Sequence, residues 1–183
     1  LIHNVASIYT LNTEGIKNSV FLNYDLRLNN LCLWYQQLIG ESLGKNRKGI
    51  SPTISTCPKD HHSLLQLYLD GPRDKFFTFF NTFSDAYKFK INNKIIQNNI
   101  KFLKNKNLKT IINIQNNATK NIFKIKKIPF REINFNKKNI EELDKILIFF
   151  ILETIILARL MNINPFDQPA VEQVKRETNK ILR

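Results

Sequence analysis

The sequence predicts an α/β fold, in which a doubly wound, mainly parallel sheet is flanked by helices. Short apolar stretches of strand length alternate along the chain with longer stretches whose apolar residues recur at helical spacing. Parallel strands need a crossover between them, and the intervening helical stretches supply one. With 183 residues, the chain is long enough for one domain with a substantial core.

Three stretches are predicted to be strands, at residues 18–24, 75–83 and 128–135. Each is short and rich in apolar or aromatic side chains, and the last alternates between apolar and polar residues. Residues 49–58 contain two prolines and are predicted to be partly extended.

Helical spacing predicts most of the remaining elements. The predicted helices cover residues 1–13, 27–43, 61–71, 107–122 and 138–161, the last of these opening at Asn139. A final helix is predicted to begin at Pro169, with Asp167 or Gln168 as its cap, because the first turn of a helix tolerates a proline. The stretch 84–106 is poorly defined, and its residues 86–106 are predicted to be irregular or loosely helical.

The chain is strongly basic, with a formal net charge of +13. The excess lies between Ala86 and Lys138, where Glu132 is the only acidic residue. The same segment is crowded with Asn, Ile and Phe, which like Lys have A- and T-rich codons, so base composition explains the charge without a specific nucleic-acid partner. A nucleic-acid-binding module is the alternative, and it predicts binding that falls steeply with salt.

Several classes of site are disfavoured by composition. Cys32 and Cys57 are too few for a disulfide scaffold or a zinc site and indicate reduced thiols in a cytoplasmic protein. The longest apolar run, 146–152, stops at Glu153 and predicts a buried helix rather than a membrane span. No glycine follows Gly71, so neither nucleotide-binding glycine motif is present.

Two pairs of polar residues have spacings that place each pair on one helix face. Glu41 follows Gln37 by four residues, which makes Glu41 a candidate general base. Lys175 follows Gln168 by seven residues, close to two turns. On spacing alone, a surface glutamate and a solvated lysine paired with Glu172 explain the same pattern.

His62 follows Asp60 and His61 at the start of a predicted helix. Adjacent histidines point to different sides of a helix, and the spacing suggests no third ligand, so a metal site is not predicted. From the sequence physics, His62 is either a polar residue at the helix start or a catalytic group.

Four stretches resemble, in family order, the C-terminal half of glucose-6-phosphate isomerase of the bacterial type. They read YDLRL (24–28), WYQQLIGESLGK (34–45), KDHHSLLQLYLDGPRDKFFTFF (59–80) and ETIILARLMNINPFDQPAVEQVK (153–175). The resemblance implies a sugar-isomerase-type (SIS) domain. Its C-terminal part would be residues 1–160, and residues 161–183 would be a signature turn and helix of the same domain.

The resemblance also implies a reaction and its residues. The family interconverts glucose 6-phosphate and fructose 6-phosphate in glycolysis and gluconeogenesis, by ring opening and proton transfer through a cis-enediol, without a cofactor or metal. Glu41 matches the general base, His62 the histidine that assists ring opening in the partner subunit's site, and Lys175 the lysine at the ring oxygen. Gln37 and Gln168 match substrate-contacting glutamines. A cytoplasmic homodimer acting on a sugar phosphate, away from membranes, is therefore expected.

The chain departs from the family pattern at a few positions. His61 stands where bacterial relatives commonly have glutamine, and Gln173 and Val174 replace a smaller pair before Lys175. The family's phosphate-binding loop and enediolate-stabilising arginine would lie upstream of Leu1, so this stretch alone is expected to be inactive or nearly so. The alternatives are the isomerase half of a transaldolase fusion and a non-catalytic sugar-phosphate-binding domain.

Overall fold

A computed structural model describes residues 1–82, 91, 98–135 and 140–183. These residues contain a four-stranded sheet in the order β2-β1-β3-β4, and every neighbouring pair of strands is parallel. The strands are β1 (Asn18–Asn23), β2 (Ser51–Thr56), β3 (Lys75–Thr82) and β4 (Phe130–Phe135). The predicted α/β fold with a parallel sheet is confirmed.

Six α-helices accompany the sheet in the described residues. They are α1 (Ile2–Thr13), α2 (Asn29–Leu43), α3 (Leu65–Asp70), α4 (Leu108–Ile125), α5 (Ile140–Leu160) and α6 (Pro169–Ile181), with short 3-10 turns at Leu26–Leu28, Lys59–His61 and Asn98–Leu103. The stretch predicted to be partly extended is a regular strand, β2. The helix predicted over 61–71 is α-helical only from Leu65. Asn139 and most of 84–106 lie outside the described residues.

The sheet separates two hydrophobic clusters, one on each face. On one face, side chains such as Phe21 and Phe80 pack with residues of α1, α2 and α5. On the other, Phe77 and Phe79 pack with residues of α3 and α4. Alternate residues of β3 therefore enter different clusters, which is typical of a parallel strand covered on both faces. This two-sided packing is the doubly wound arrangement that the sequence predicts.

Glu153 is the one acidic residue in the apolar half of α5, and it is only 1% exposed. Both its oxygens accept hydrogen bonds from Arg131 of β4, at 2.5 and 2.9 Å. The Arg131 Nε donates to Thr78 Oγ1 at 2.9 Å. A buried carboxylate is tolerated when a two-bond guanidinium partner neutralises it. The residue that ends the apolar run in the sequence thus links α5 to the sheet. No helix in the described stretches, α5 included, has the length and hydropathy of a membrane span.

The two ends of the strands form two different edges of the sheet. We call the edge where the strands begin the amino edge and the opposite one the carboxyl edge. Helices α2 and α5 return antiparallel to the strands, so their C-terminal ends approach the amino edge. Two hydrogen bonds agree with this direction of the helices. Gln36 Nε2 of α2 donates to the carbonyl of Pro52 near the start of β2 at 3.2 Å, and Lys48 Nζ, just before β2, donates to the carbonyl of Met161, just after α5, at 3.1 Å.

Candidate active site

Three of the predicted site residues meet at the amino edge. Gln37 Nε2 donates to Glu41 Oε1 at 2.9 Å, and Gln168 Nε2 donates to Glu41 Oε2 at 2.9 Å. Gln37 lies one turn earlier on α2, whereas Gln168 is 127 residues further along the chain. The carboxylate is therefore fixed at both oxygens by neutral donors.

Lys45 holds the chain segment that brings Gln168 to Glu41. Its ammonium lies 3.0 Å from Asp167 Oδ1 and donates to the Asn164 carbonyl at 2.5 Å, although the Lys45 side chain is only 8% exposed. The hydrogen bond and charge of Lys45 hold the pKa of the Asp167 carboxyl below its ordinary value. Asn164 Oδ1 also accepts from the Phe166 amide at 3.1 Å, which closes a turn. The turn is thus tied to the end of α2.

Gly49 shapes the loop that leads from α2 into β2. Its φ is +109°, and a Cβ at this position would collide with the Leu43 carbonyl. Only glycine takes this conformation readily, so the loop can fold back against the end of α2. The fold-back keeps Lys45 close to the turn at 164–167.

Helix α6 begins at Pro169, as predicted, and one of the two expected capping residues precedes it. Gln168 occupies the capping position, and its side chain makes no capping bond. The predicted capping position is therefore confirmed, but the side chains bind elsewhere, Asp167 to Lys45 and Gln168 to Glu41. The helix start is thus joined to Glu41 of α2 and to Lys45, which follows α2.

A cavity of about 330 Å³ lies between the end of α2 and the first turn of α6. Its wall includes Glu41, Lys45 and Gln168. This volume suits a small ligand, and the wall offers carboxylate, ammonium and amide groups to it. We call this space the Glu41 pocket.

Lys175 is not among the residues that line the Glu41 pocket. It lies on the exposed α6, where its Nζ bonds to Glu172 Oε1 at 2.7 Å. None of the residues of α6 is buried. The structure therefore shows the pairing with Glu172 that spacing raised as an alternative, and it does not bring Lys175 to Glu41.

His62 lies at the carboxyl edge, immediately after the 3-10 turn Lys59–His61 that follows β2. Asp60 fixes this turn: its Oδ2 accepts from the Thr56 amide at 2.7 Å and from Ser55 Oγ at 3.0 Å. The His62 side chain itself is exposed. Asp60 thus ties His62 to the last residues of the strand.

His61 points inward where His62 points to solvent. Its Nε2 lies 2.8 Å from the Tyr24 hydroxyl, which donates to Thr119 Oγ1 at 3.3 Å, while the Thr119 hydroxyl donates to the Gln115 carbonyl at 2.8 Å. Because the Tyr24 proton goes to Thr119, the His61 Nε2–H donates to Tyr24. Burial lowers the pKa of His61, and the neighbouring His62 lowers it further. This chain of bonds links the His62 turn to α4.

Glu41 and His62 lie at opposite edges of the sheet in this chain. Strand β2 separates the two edges, and its six residues span roughly 17 Å at the usual rise per residue. The structure thus brings together Gln37, Glu41 and Gln168, and it leaves His62 and Lys175 apart from them.

Comparison with known proteins identifies relatives of this chain. The chain is 37% identical over 169 residues to a probable glucose-6-phosphate isomerase of Methanococcus maripaludis, a match that covers 92% of this chain and 38% of that protein. It is 36% identical over 176 residues to the glucose-6-phosphate isomerase of Methanocaldococcus jannaschii, covering 96% of this chain and 43% of the relative. The chain is homologous to part of the glucose-6-phosphate isomerases.

Other relatives extend the match beyond these two organisms. The glucose-6-phosphate isomerase of Mycoplasma capricolum is 32% identical over 178 residues, covering 94% of this chain and 41% of that protein. The chain thus spans about two fifths of the length of the curated glucose-6-phosphate isomerases that it matches. No protein-family model matches the chain.

Two solved structures share the fold. A hypothetical protein from Thermus thermophilus superposes with a TM-score of 0.87 at 24% identity, covering 98% of this chain and 44% of that one. A glucose-6-phosphate isomerase from Chlamydia trachomatis superposes with a TM-score of 0.73 at 15% identity, covering 96% of this chain and 36% of that one. At these identities the likeness establishes the fold only.

The two cysteines lie apart, in different hydrophobic clusters on opposite faces of the sheet. Both are free and buried, and burial raises the pKa of each thiol to about 12. Such thiols are poor nucleophiles and poor metal ligands at neutral pH. In the described part of the chain, no group of three or more His, Cys, Asp or Glu residues is placed to hold a metal ion.

Proposed function

We propose that this chain carries the base-bearing part of a glucose-6-phosphate isomerase, a cytoplasmic enzyme that interconverts glucose 6-phosphate and fructose 6-phosphate. The observation that carries the proposal is the Glu41 carboxylate, held at both oxygens by Gln37 and Gln168 in the wall of a small pocket. The homologous relatives bear that enzyme's name. The phosphate-binding loop and the enediolate-stabilising arginine are proposed to lie in the part of the enzyme that this chain does not span.

Glu41 takes the role of the general base. Isomerisation moves one proton between two neighbouring carbons, C2 and C1, through a cis-enediol. Because the proton leaves one carbon and reaches its neighbour on the same face of the enediol, one fixed carboxylate can remove the proton and return it. The two glutamine amides orient the carboxylate without adding a counter-charge, and each oxygen keeps a lone pair for the proton.

Lys175 is assigned to the ring oxygen during opening. It lies on the helix whose first turn forms one wall of the Glu41 pocket. Its present bond with Glu172 joins two exposed side chains, so breaking that bond costs little. We therefore propose that the Lys175 side chain changes its rotamer to reach the ring oxygen.

His62 is assigned to the active site of a second subunit. Its position on the opposite edge from Glu41 supports this assignment, because a strand of roughly 17 Å lies between the two edges. The enzyme is accordingly proposed to be a homodimer in which each subunit supplies a base to one site and a histidine to the other.

The test is an isomerase assay on the full-length protein, comparing wild type with Glu41→Gln. The substitution keeps the shape of the side chain and removes the base, so kcat should fall on the order of a hundredfold or more, with a similar KM. Production of glucose 6-phosphate from fructose 6-phosphate is followed with a coupled dehydrogenase. Glu14→Gln, an exposed glutamate at the end of α1, is the matched control.

Either of two results would contradict the proposal. A fully active Glu41→Gln enzyme would mean that the base is another residue. An inactive wild type that still binds the sugar phosphate would favour the non-catalytic sugar-phosphate-binding domain.

A further inference from the structure

A second cleft lies at the carboxyl edge, between α4 and the last residues of β3 and β4. Its volume is about 450 Å³, within the usual range for small-molecule sites. Most of the side chains that line it are amides or amines, and Glu41 and Gln168 are not among them. We call this space the asparagine cleft.

The asparagine cleft has a favourable place in the topology. In the order β2-β1-β3-β4, the chain moves outward from β1 in one direction to β2 and in the other to β3 and β4. Open α/β sheets bind ligands in the crevice outside the carboxyl ends of the strands, beside the point where the strand order reverses. Tyr24, which follows β1, and Thr82, which ends β3, both line the cleft.

A chain of hydrogen bonds fixes the side chains in the cleft wall. Asn116 Nδ2 donates to Asn81 Oδ1 at 2.8 Å, and Asn81 Nδ2 donates to Asn134 Oδ1 at 2.9 Å and to Glu132 Oε2 at 3.1 Å. Lys120 Nζ also donates to Glu132 Oε2, at 2.8 Å. Because each donor has a defined acceptor, the amide orientations follow from the network.

Among the described residues of this wall, one buried polar side-chain atom has no hydrogen-bond partner. Asn116 is 7% exposed, and its Oδ1 is buried without a hydrogen bond. Leaving a buried acceptor unpaired is unfavourable, and native proteins rarely do so without a reason. The atom therefore needs a donor that the described chain does not supply, and the cleft beside it has room for a molecule that does.

We propose that the asparagine cleft binds a small neutral polyhydroxylated molecule, of the class of a monosaccharide or cyclic polyol. A hydroxyl group can donate to Asn116 Oδ1, and neighbouring hydroxyls can accept from Lys120 Nζ and Asn134 Nδ2. The charges of Lys120 and Glu132 compensate each other within their ion pair, so this part of the wall does not call for a charged ligand. Hydroxyls, which both donate and accept, match a wall built of amides.

The test is saturation-transfer NMR on the full-length protein with D-glucose, D-galactose and myo-inositol as probes. Asn116→Leu removes the acceptor at similar volume and should weaken binding roughly fivefold, about the worth of one hydrogen bond. Asn134→Ala should weaken it similarly, and because Asn134 is exposed, this variant keeps the test valid if Asn116→Leu does not fold. Asn121→Leu, an exposed asparagine of α4 outside the cleft, is the matched control and should bind as wild type does.

Three outcomes would overturn the proposal. The first is no saturation of any of the three probes, which would assign an ordered water to Asn116. The second is binding that neither cleft variant weakens. The third is a signal that fructose 6-phosphate removes and the cleft variants leave intact, which would place the sugar in the Glu41 pocket. Since the readout is binding, a failure of the proposed isomerase activity would not alter the result.

Discussion

The two edges of the sheet hold their polar residues in different ways. At the amino edge, Glu41 and Gln168 meet through exposed side chains, and a single largely buried lysine, Lys45, ties their segments together. At the carboxyl edge, Asp60 accepts from a strand amide and from the buried Ser55 hydroxyl, and Tyr24 donates to the buried Thr119 hydroxyl. The polar contacts of the amino edge lie on the surface, whereas those of the carboxyl edge include buried groups of the fold.

This difference predicts which substitutions should reduce stability and which should reduce activity. Exposed hydrogen bonds exchange with water and contribute little to the free energy of unfolding, whereas a bond to a buried group is costly to remove. Substitutions that remove the partner of a buried group at the carboxyl edge should therefore reduce stability first. Substitutions at the amino edge should reduce activity in a protein that stays folded.

The largest effect on stability is expected for Asp60→Ala. The change leaves the Thr56 amide and Ser55 hydroxyl without their acceptor, so the free energy of unfolding should fall by about 1–3 kcal/mol. Urea unfolding measures it, with Asp60→Asn as the conservative variant that keeps one acceptor. Asp70→Ala, an exposed aspartate, is the control. Equal stability of Asp60→Ala and wild type would break the contrast between the edges.

A smaller effect, on activity rather than stability, is expected for Lys45→Met. Methionine keeps most of the side-chain length but releases Asp167 and the Asn164 carbonyl, so Gln168 is no longer held at Glu41. The kcat/KM of the full-length enzyme should fall about tenfold, and the urea midpoint should fall less than in Asp60→Ala, because the Asp167 partner is largely exposed. Lys124→Met, an exposed lysine of α4, should match wild type in both measurements. A lower midpoint with unchanged kcat/KM would reverse the assignment of the amino edge.

Most elements of the fold could be predicted because their cause is local. The strands β1, β3 and β4 follow from short apolar stretches, and Pro169 marks the start of α6. The region around Pro52 shows the limit, since its prolines argue against a regular strand although it pairs along its length with β1. The outermost strand of a sheet tolerates a proline, and only the strand order shows that β2 is outermost.

The sequence predicts the motifs of the candidate site but not the contacts that join them. Spacing connects Gln37 to Glu41 within one helix, but the ion pair of Lys45 with Asp167 joins residues that are far apart in sequence. The asparagine cleft could not be predicted, because Asn81 and Asn116 stand out little in a chain crowded with asparagine. The observation that singles them out is the unpaired Asn116 Oδ1 in the described structure, and the sequence does not show it.

The proposed homodimer requires that Glu41 and His62 of one chain serve different active sites. The most direct measurement mixes full-length Glu41→Gln and His62→Ala subunits by co-expression and assays isomerisation of fructose 6-phosphate. Random pairing makes about half of the dimers hybrids, and each hybrid has one site with both groups intact, so about a quarter of wild-type activity should return. Each variant alone should be nearly inactive. Hybrid dimers with no more activity than the separate variants would contradict the claim.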